Sequence, residues 1–185
     1  MTEVPNRTGG DATQKLLAFA SLITLVVVFS VLSENFRTIS NMMNILQATS
    51  VIGVLAVSAT LVIITGGIDL SVGTAMTFTA VTAGMLLTWA GLPIPLGILG
   101  AIMMGALTGS ISGFLITKLR IPPFIATLGM MLVLKGLSLI VTANKPIYFN
   151  DSPGFTAFAQ GSLVGRLAPV LPVPNGVVVL FLVAA

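Results

Sequence analysis

The chain has 185 residues, of which 56% are hydrophobic and 7% are charged. A soluble domain carries about 25% charged residues, so this composition indicates a membrane protein. Because the chain contains neither Cys nor His, it cannot build a disulfide, a Cys-ligated metal site, a zinc site or a Ser-His-Asp triad. Its net charge of +3 is scattered, which argues against a nucleic-acid surface. We therefore expect a protein that is not an enzyme and holds no metal and no cofactor.

The chain opens with a polar segment and a first apolar run. Residues 1–15 are predicted to form a poorly ordered polar tail, because Pro and Gly interrupt them. Leu16–Leu32 approaches the roughly 20 residues that a helix needs to cross ~30 Å of hydrocarbon. A secretory signal peptide is the alternative, but the tail contains acidic residues and no small-x-small cleavage site follows. We expect residues 16–185 to form one membrane domain that ends within a helix.

A second helix is predicted over Ile45–Ile64, after a polar break at Ser33–Asn44. Membrane bundles use polar side chains on such helices for hydrogen bonds between helices. The alternative is that these side chains line a path for a hydroxyl-rich substrate. The polar side chains that fall close to one face at helical spacing, and that we take as candidate path residues, are Gln47, Ser50, Ser58 and Thr65.

The stretch from Thr65 to Gly73, TGGIDLSVG, interrupts the apolar pattern. Asp69 is the only charged residue between Arg37 and Lys118. Glycine is costly inside a helix, so the double glycine predicts that the second helix ends here. Asp69 then stands where the next helix begins, and a carboxylate there can accept unpaired backbone N–H groups. We expect one membrane helix to end and another to start, with Asp69 as an anionic cap between them.

Helices three and four are predicted over Leu70–Trp89 and Leu96–Thr117, joined by a turn at 91–95 that contains Gly and Pro. In the fourth helix, small residues recur every four positions and leave a smooth ridge along one side. Such ridges let another helix approach closely. The predicted packing ridge consists of Gly97, Ala101, Gly105, Gly109 and Gly113.

A short basic loop with Lys118 and Arg120 follows, which favours the cytoplasmic side of the membrane. The fifth helix is predicted over Phe124–Thr142 and carries one charge, Lys135. Because an intramembrane cation deserves a functional hypothesis, Lys135 joins the candidate path residues. The alternative is that its ammonium group snorkels or pairs with polar groups inside the bundle.

The last part of the chain is a long polar, Pro-rich loop followed by another apolar run. Residues 143–175 exceed an ordinary loop, and we expect a short surface helix around Phe155–Leu163. Val177–Ala185 would give about 14 Å of helix, under half a bilayer. The whole pattern predicts an all-α, polytopic membrane helix bundle with about five complete transmembrane helices and the start of a sixth.

TGGIDLSVG, with NILQATS upstream and FIATLGMMLVLKGL downstream, resembles the permease subunits of bacterial ABC importers for ribose and related monosaccharides. The resemblance runs from about Phe36 to the end and covers the first half of the family pattern. The related branched-chain amino acid permeases keep a weaker version of the motif. The positions that match the signature are Gly66, Gly67, Asp69, Leu70, Ser71 and Gly73, and Lys135 lies where the family tends to have a basic residue.

The resemblance implies a permease subunit in the bacterial cytoplasmic (inner) membrane that moves a ribose-like monosaccharide and performs no bond chemistry. Besides the lipid bilayer it implies three protein partners: a second permease subunit in a homo- or heterodimer, a cytoplasmic ABC ATPase, and a periplasmic sugar-binding protein. The alternative is an ion-coupled secondary transporter, in which Asp69 at a broken helix binds the proton or cation.

Overall fold

A computed structural model describes residues 8–149, 152–162 and 173–184. Within these ranges every regular element is a helix, and α1 to α5 are long and apolar enough to cross a membrane. This confirms the predicted all-α membrane bundle. The helices are α1 (Thr8–Leu32), α2 (Ile39–Ile64), α3 (Val72–Gly84, continued by a π-helical turn at Met85–Trp89), α4 (Ile94–Thr117), α5 (Pro123–Val141), α6 (Pro153–Ala159) and α7 (Asn175–Ala184), with a 3₁₀ turn at Glu34–Arg37.

The chain divides into two compact units, Met1–Ile45 and Leu46–Ala185. In the first unit, α1 already begins at Thr8, so part of the segment predicted as a poorly ordered tail is helical. Residues 1–7 lie outside the described part of the chain. Once an apolar segment has nucleated a helix, each further residue adds a hydrogen bond. This explains why α1 extends beyond the apolar run that starts at Leu16.

The start of α2 also lies earlier than predicted, at Ile39 instead of Ile45. Thr38 provides the physical reason, because its hydroxyl oxygen accepts the backbone N–H of Asn41 at 3.2 Å, the contact of an N-cap residue. The Asn41 side chain in turn donates to the carbonyl of Phe36 at 3.1 Å. The polar residues at the start of α2 are therefore part of the helix rather than a break before it.

In the second unit, the core lies where α3, α4 and α5 pack together. Small polar side chains are buried in this core, and their hydroxyl groups bond to the backbone of their own helix, as Ser138 does to the carbonyl of Leu134 at 2.8 Å. Since these protons already have acceptors, the hydroxyl groups can be buried in an apolar bundle. Among the residues whose burial the structure describes, the buried apolar side chains are Ala83, Leu87, Ala126, Met130 and Leu134.

Glycines let the start of α4 approach the end of α3. A Cβ atom on Gly97 would lie 2.5 Å from the side chain of Leu87, and one on Gly100 would overlap the side chain of Leu86. Both leucines belong to the π-helical turn that continues α3. α4 starts at Ile94, two residues earlier than predicted. Pro95 fits the first turn of the helix, because backbone N–H groups in that turn have no acceptor within the helix and proline lacks an N–H group.

The residues after α5 cover the end of the bundle at which α3 ends. Ile147 lies against Gly84, where an added Cβ atom would come within 3.0 Å of it. The Phe149 ring stacks on Phe155 of α6 with centroids 4.9 Å apart. α6 corresponds to the surface helix predicted at 155–163, starts two residues earlier and ends at Ala159. The last residue of the predicted helix lies outside the described part of the chain.

Near the same end, α2 meets α6 and α7. Gln47 Nε2 donates to the carbonyl of Ala159 at 2.9 Å. Gly176 of α7 lies so close to Ser50 that an added Cβ atom would be 2.5 Å from the serine Oγ. The start of α7 lies two residues before the predicted one, and the last predicted residue is outside the described ranges. This half of α2 is thus tied to the end of the bundle opposite the α4–α5 loop.

Candidate functional site

The end of α2 has a defined capping geometry. The N–H of Gly67 donates to the carbonyl of Val62 at 3.1 Å, and the N–H of Gly66 donates to that of Ile63 at 2.9 Å. These two bonds form a Schellman motif. Gly66 has a φ of 78°, a left-handed conformation that favours glycine. The double glycine therefore ends α2 at Ile64, where the sequence pattern predicts it.

The Asp69 carboxylate fixes the chain before α3. Its Oδ1 accepts the backbone N–H of Ser71 at 2.7 Å and the Ser71 hydroxyl at 2.6 Å. This is an Asx turn, in which an acidic side chain holds the backbone two residues further on. Because the turn occupies these residues, α3 starts at Val72 instead of the predicted Leu70. The half-buried carboxylate thus braces Ser71, the N-cap residue, rather than the first turn of α3 itself.

The loop between α2 and α3, which we call the signature loop (residues 65–71), is attached to the start of α5. Thr127 is 2% exposed and places its hydroxyl 3.1 Å from the carbonyl oxygen of Ile68 and 2.8 Å from that of Pro123. The single proton can be donated to either oxygen. A Cβ atom on Gly67 would lie 3.7 Å from the Pro123 Cβ. A side chain 59 positions away in sequence therefore helps to hold the signature loop in place.

A cavity of about 470 Å³ lies beside the signature loop, and we call it the signature cavity. Its volume falls in the range of roughly 300–1,000 Å³ that is typical of small-molecule sites. The loop, the end of α2, the second half of α4 and the start of α5 contribute to it. Among the described residues of its lining, Asp69 alone is charged, and its Oδ1 accepts both donors of Ser71. The polar side chains of the cavity lining are Thr65, Asp69, Ser112, Thr117 and Thr127.

The cavity offers mainly hydrogen-bond acceptors. The hydroxyl of Thr65 donates to the carbonyl of Val62 at 2.7 Å, and that of Thr117 donates to the carbonyl of Gly113 at 2.7 Å. Because these protons are used within their own helices, the hydroxyl groups have lone pairs left for a ligand. Asp69 adds further acceptor capacity. Such a lining matches a solute that carries several O–H donors.

The predicted path residues are separated by the fold. Thr65 lines the signature cavity, whereas Gln47 and Ser50 lie at the other end of α2, against α6 and α7. Ser58 and Lys135 are exposed, and neither belongs to the cavity lining. One face of α2 therefore meets different neighbours along its length, which helical spacing alone does not reveal.

The predicted packing ridge on α4 is divided in a similar way. Gly97 and Gly105 lie against side chains of the α3 segment, and Ala101 between them is half-buried. Gly109 and Gly113 line the signature cavity, and a Cβ atom on either would meet no atom of the described residues within 4 Å. At these two positions the ridge faces the signature cavity, and a close helix contact there stays a prediction.

Sequence reasoning missed three polar residues of the cavity, Ser112, Thr117 and Thr127. A signal was available for the first two, because Ser112 adjoins the glycine ridge and Thr117 follows about one turn later on α4. No comparable local signal exists for Thr127. Its contact with Ile68 joins α5 to the signature loop and depends on how the helices pack.

Comparisons with known proteins agree with the motif. Residues 41–185 match the family described as the permease component of the branched-chain amino acid transport system. The ribose import permease protein RbsC of Escherichia coli K12 is 41% identical over 155 residues, which are 81% of this chain and 47% of that protein. The ribose import permease protein RbsC of Bacillus subtilis is 38% identical over 170 residues, 91% of this chain and 52% of that protein.

A relative named for a different sugar is the galactofuranose transporter permease protein YtfT of Escherichia coli K12. It is 35% identical over 159 residues, which are 82% of this chain and 46% of that protein. No solved structure matches the chain. The chain spans about half the length of the relatives described here. Since the family match covers most of the sequence, the chain belongs to the permease-component family of branched-chain amino acid transport systems.

Proposed function

We infer that the chain forms part of the membrane path of an ATP-driven importer for a monosaccharide, with ribose as the first candidate. The observation that carries this inference is the 41% identity to a ribose import permease over 155 residues. Relatives that transport galactofuranose and fructose are 35% identical, so their sugars are the next candidates. The chain itself makes and breaks no covalent bond in this proposal.

The signature cavity supports a sugar as the solute. A monosaccharide is neutral and carries several hydroxyl donors, and the cavity supplies the hydroxyl oxygens of Thr65 and Thr117 and the carboxylate of Asp69 as acceptors. A fixed positive charge in the lining would favour an anionic solute instead. The acceptor groups of the lining thus suit the hydroxyl-rich sugars that the relatives are named for.

The position of the cavity supports a role at the cytoplasmic mouth of the path. The cavity is lined by Thr117 and Pro123, which flank the basic loop with Lys118 and Arg120. Basic loops favour the cytoplasmic side. In this proposal the subunit lies in the cytoplasmic membrane and pairs with a second permease subunit. An ABC ATPase acts from the cytoplasm, and a periplasmic binding protein delivers the sugar.

The alternative, an ion-coupled transporter with Asp69 as the ion site, is not favoured by the family match. The local geometry also gives Asp69 a structural task, since its Oδ1 accepts both donors of Ser71. The energy source separates the two hypotheses. An importer driven by an ATPase continues uptake when an uncoupler removes the proton gradient but ATP is maintained, whereas a proton-coupled transporter stops.

The test is uptake of labelled ribose in a bacterial strain that lacks its own ribose permease and expresses the gene for this chain with its partner genes. We expect uptake that depends on ATP and that unlabelled ribose inhibits more strongly than fructose. Thr65→Val and Thr117→Val each remove an acceptor and should lower uptake by roughly two- to tenfold. Thr77→Val is the matched control, because Thr77 is exposed on α3 and outside the cavity. Uptake that stops with the uncoupler at constant ATP would overturn the proposal.

A further inference from the structure

We propose that α4 and α5 form a binding site for one anionic phospholipid, with its acyl chain in an apolar groove between the two helices and its phosphate at Lys118 and Arg120. The proposal is independent of the sugar that the protein carries. It rests on two separate features, the groove itself and the basic loop at the end of it.

The first feature is an apolar groove of about 570 Å³ between α4 and α5, to which α3 contributes Phe78. It is distinct from the signature cavity, because the two linings share no described residue. Among the described lining residues Thr108 alone has a polar side chain, and its hydroxyl donates to the carbonyl of Gly105 at 3.0 Å. Several lining side chains are strongly exposed within the chain, including Ile125 at 58% and Val133 at 55%. The groove therefore presents hydrocarbon and no free side-chain hydrogen-bond donor among the described residues.

The length of the groove matches one leaflet of a bilayer. On α5 its lining extends from Ile125 to Leu137, which corresponds to about 18 Å along the helix. One leaflet contributes about half of the ~30 Å hydrocarbon core. A single acyl chain that enters at the α4–α5 loop can thus lie in the groove along its whole length. Other lining residues are Leu107, Ile111 and Leu115 of α4.

The second feature is the charge at the end of the groove. Leu115 and Ile121 line the groove and flank the loop that carries Lys118 and Arg120, both of which are exposed. No acidic residue occurs between Asp69 and Asp151 in the sequence, and Asp69 lies in the signature cavity, where its Oδ1 accepts both donors of Ser71. Arg120 has a φ of 54°, which lies in the left-handed region of the backbone. Guanidinium groups bind phosphate through paired hydrogen bonds.

The two cations, Lys118 and Arg120, favour a lipid over a helix of a second subunit as the occupant of the groove. An apolar transmembrane helix would fill the groove but would not use the two cations at its end. An anionic phospholipid uses both features, since basic pockets between membrane helices on the cytoplasmic side bind anionic headgroups. The leaflet that such a loop faces is also the one rich in anionic lipid.

The experiment is native mass spectrometry of the protein in detergent, titrated with phosphatidylglycerol or phosphatidylcholine of identical acyl chains. Each basic residue near an anionic headgroup strengthens binding by roughly fivefold. We therefore expect phosphatidylglycerol to bind on the order of 10- to 30-fold more tightly than phosphatidylcholine. Inorganic phosphate, which has the charge but no acyl chain, should not displace bound lipid. Equal binding of the two lipids by the unmodified protein overturns the proposal, whatever the variants do.

Two kinds of variant locate the site. The double variant K118Q/R120Q should lose the preference for phosphatidylglycerol, whereas K145Q, at the other end of α5, should keep it. Gly129 lines the groove with open space around it, so Gly129→Leu should block the acyl chain and lower the binding of both lipids. Gly136→Leu is the control, because Gly136 has equal space and does not line the groove. Unchanged lipid binding by Gly129→Leu together with loss of a dimer would show that the groove is a subunit contact and would refute the lipid site.

Discussion

The Asp69 carboxylate places one oxygen against both donors of Ser71, so its removal has a definite expected cost. Asp69→Asn keeps a side-chain oxygen that can accept the Ser71 N–H, whereas Asp69→Ala leaves that N–H without a partner. We expect Ala to lower the free energy of unfolding by about 1 kcal/mol and Asn to cost clearly less. The measurement is thermal unfolding in detergent, with uptake assayed in parallel. If Asn retains stability but loses uptake as fully as Ala, the charge of Asp69 has a function beyond bracing the loop.

Two glycines of the signature differ in the reason for their presence, and this gives a second prediction. Gly66 has a left-handed backbone, so Gly66→Ala should destabilise the protein by roughly 1–2 kcal/mol. Gly73 lies in α3, and an added Cβ would meet no atom of the described part of the chain within 4 Å, so Gly73→Ala should be neutral or stabilising by up to about 1 kcal/mol. The melting temperatures of the two variants, measured in the same detergent as that of the unmodified protein, test both expectations. A Gly73→Ala variant that is stable but inactive would identify Gly73 as part of a functional surface.

At the level of elements, α4 serves two purposes along its length. Gly97 allows contact with the end of α3, and Gly109 leaves space in the signature cavity. Gly97→Leu should therefore reduce the yield of folded protein in the membrane, because two helices must separate. Gly109→Leu should give a near-normal yield and reduced uptake, because its side chain enters the cavity. Fluorescence-detected size-exclusion chromatography measures the yields, and equal losses of yield for both variants would contradict the division.

At the level of the whole molecule, the arrangement of loops predicts a topology that can be measured directly. The protein contains no Cys, so single cysteines can be introduced without a background signal. Leu119 and Tyr148 are exposed and lie beyond opposite ends of α5. We expect a membrane-impermeant maleimide to label Tyr148→Cys in intact spheroplasts and Leu119→Cys only in inverted vesicles. The reverse pattern would move the signature cavity to the periplasmic side.

The sequence by itself determined the class of the protein and the type of its elements. Long apolar runs predict membrane helices, because a backbone in lipid must satisfy its N–H and C=O groups within the segment. The double glycine at 66–67 also predicts the end of α2, because glycine readily adopts a left-handed conformation, as Gly66 does in the structure. The start of α2 was predictable in principle, since Thr38 has the chemistry of an N-cap. These features depend on neighbours a few residues away.

Only the tertiary structure decided which side chains form the candidate site. Thr65 of the signature loop, Ser112 of α4 and Thr127 of α5 meet at one cavity. Gln47 and Ser50 belong to α2, the helix that ends just before Thr65, but they lie at the opposite end of the bundle. Helical periodicity tells which residues share a face, but it does not tell which element covers each part of that face. That depends on packing between helices that are far apart in sequence, as the contact of Thr127 with Ile68 demonstrates.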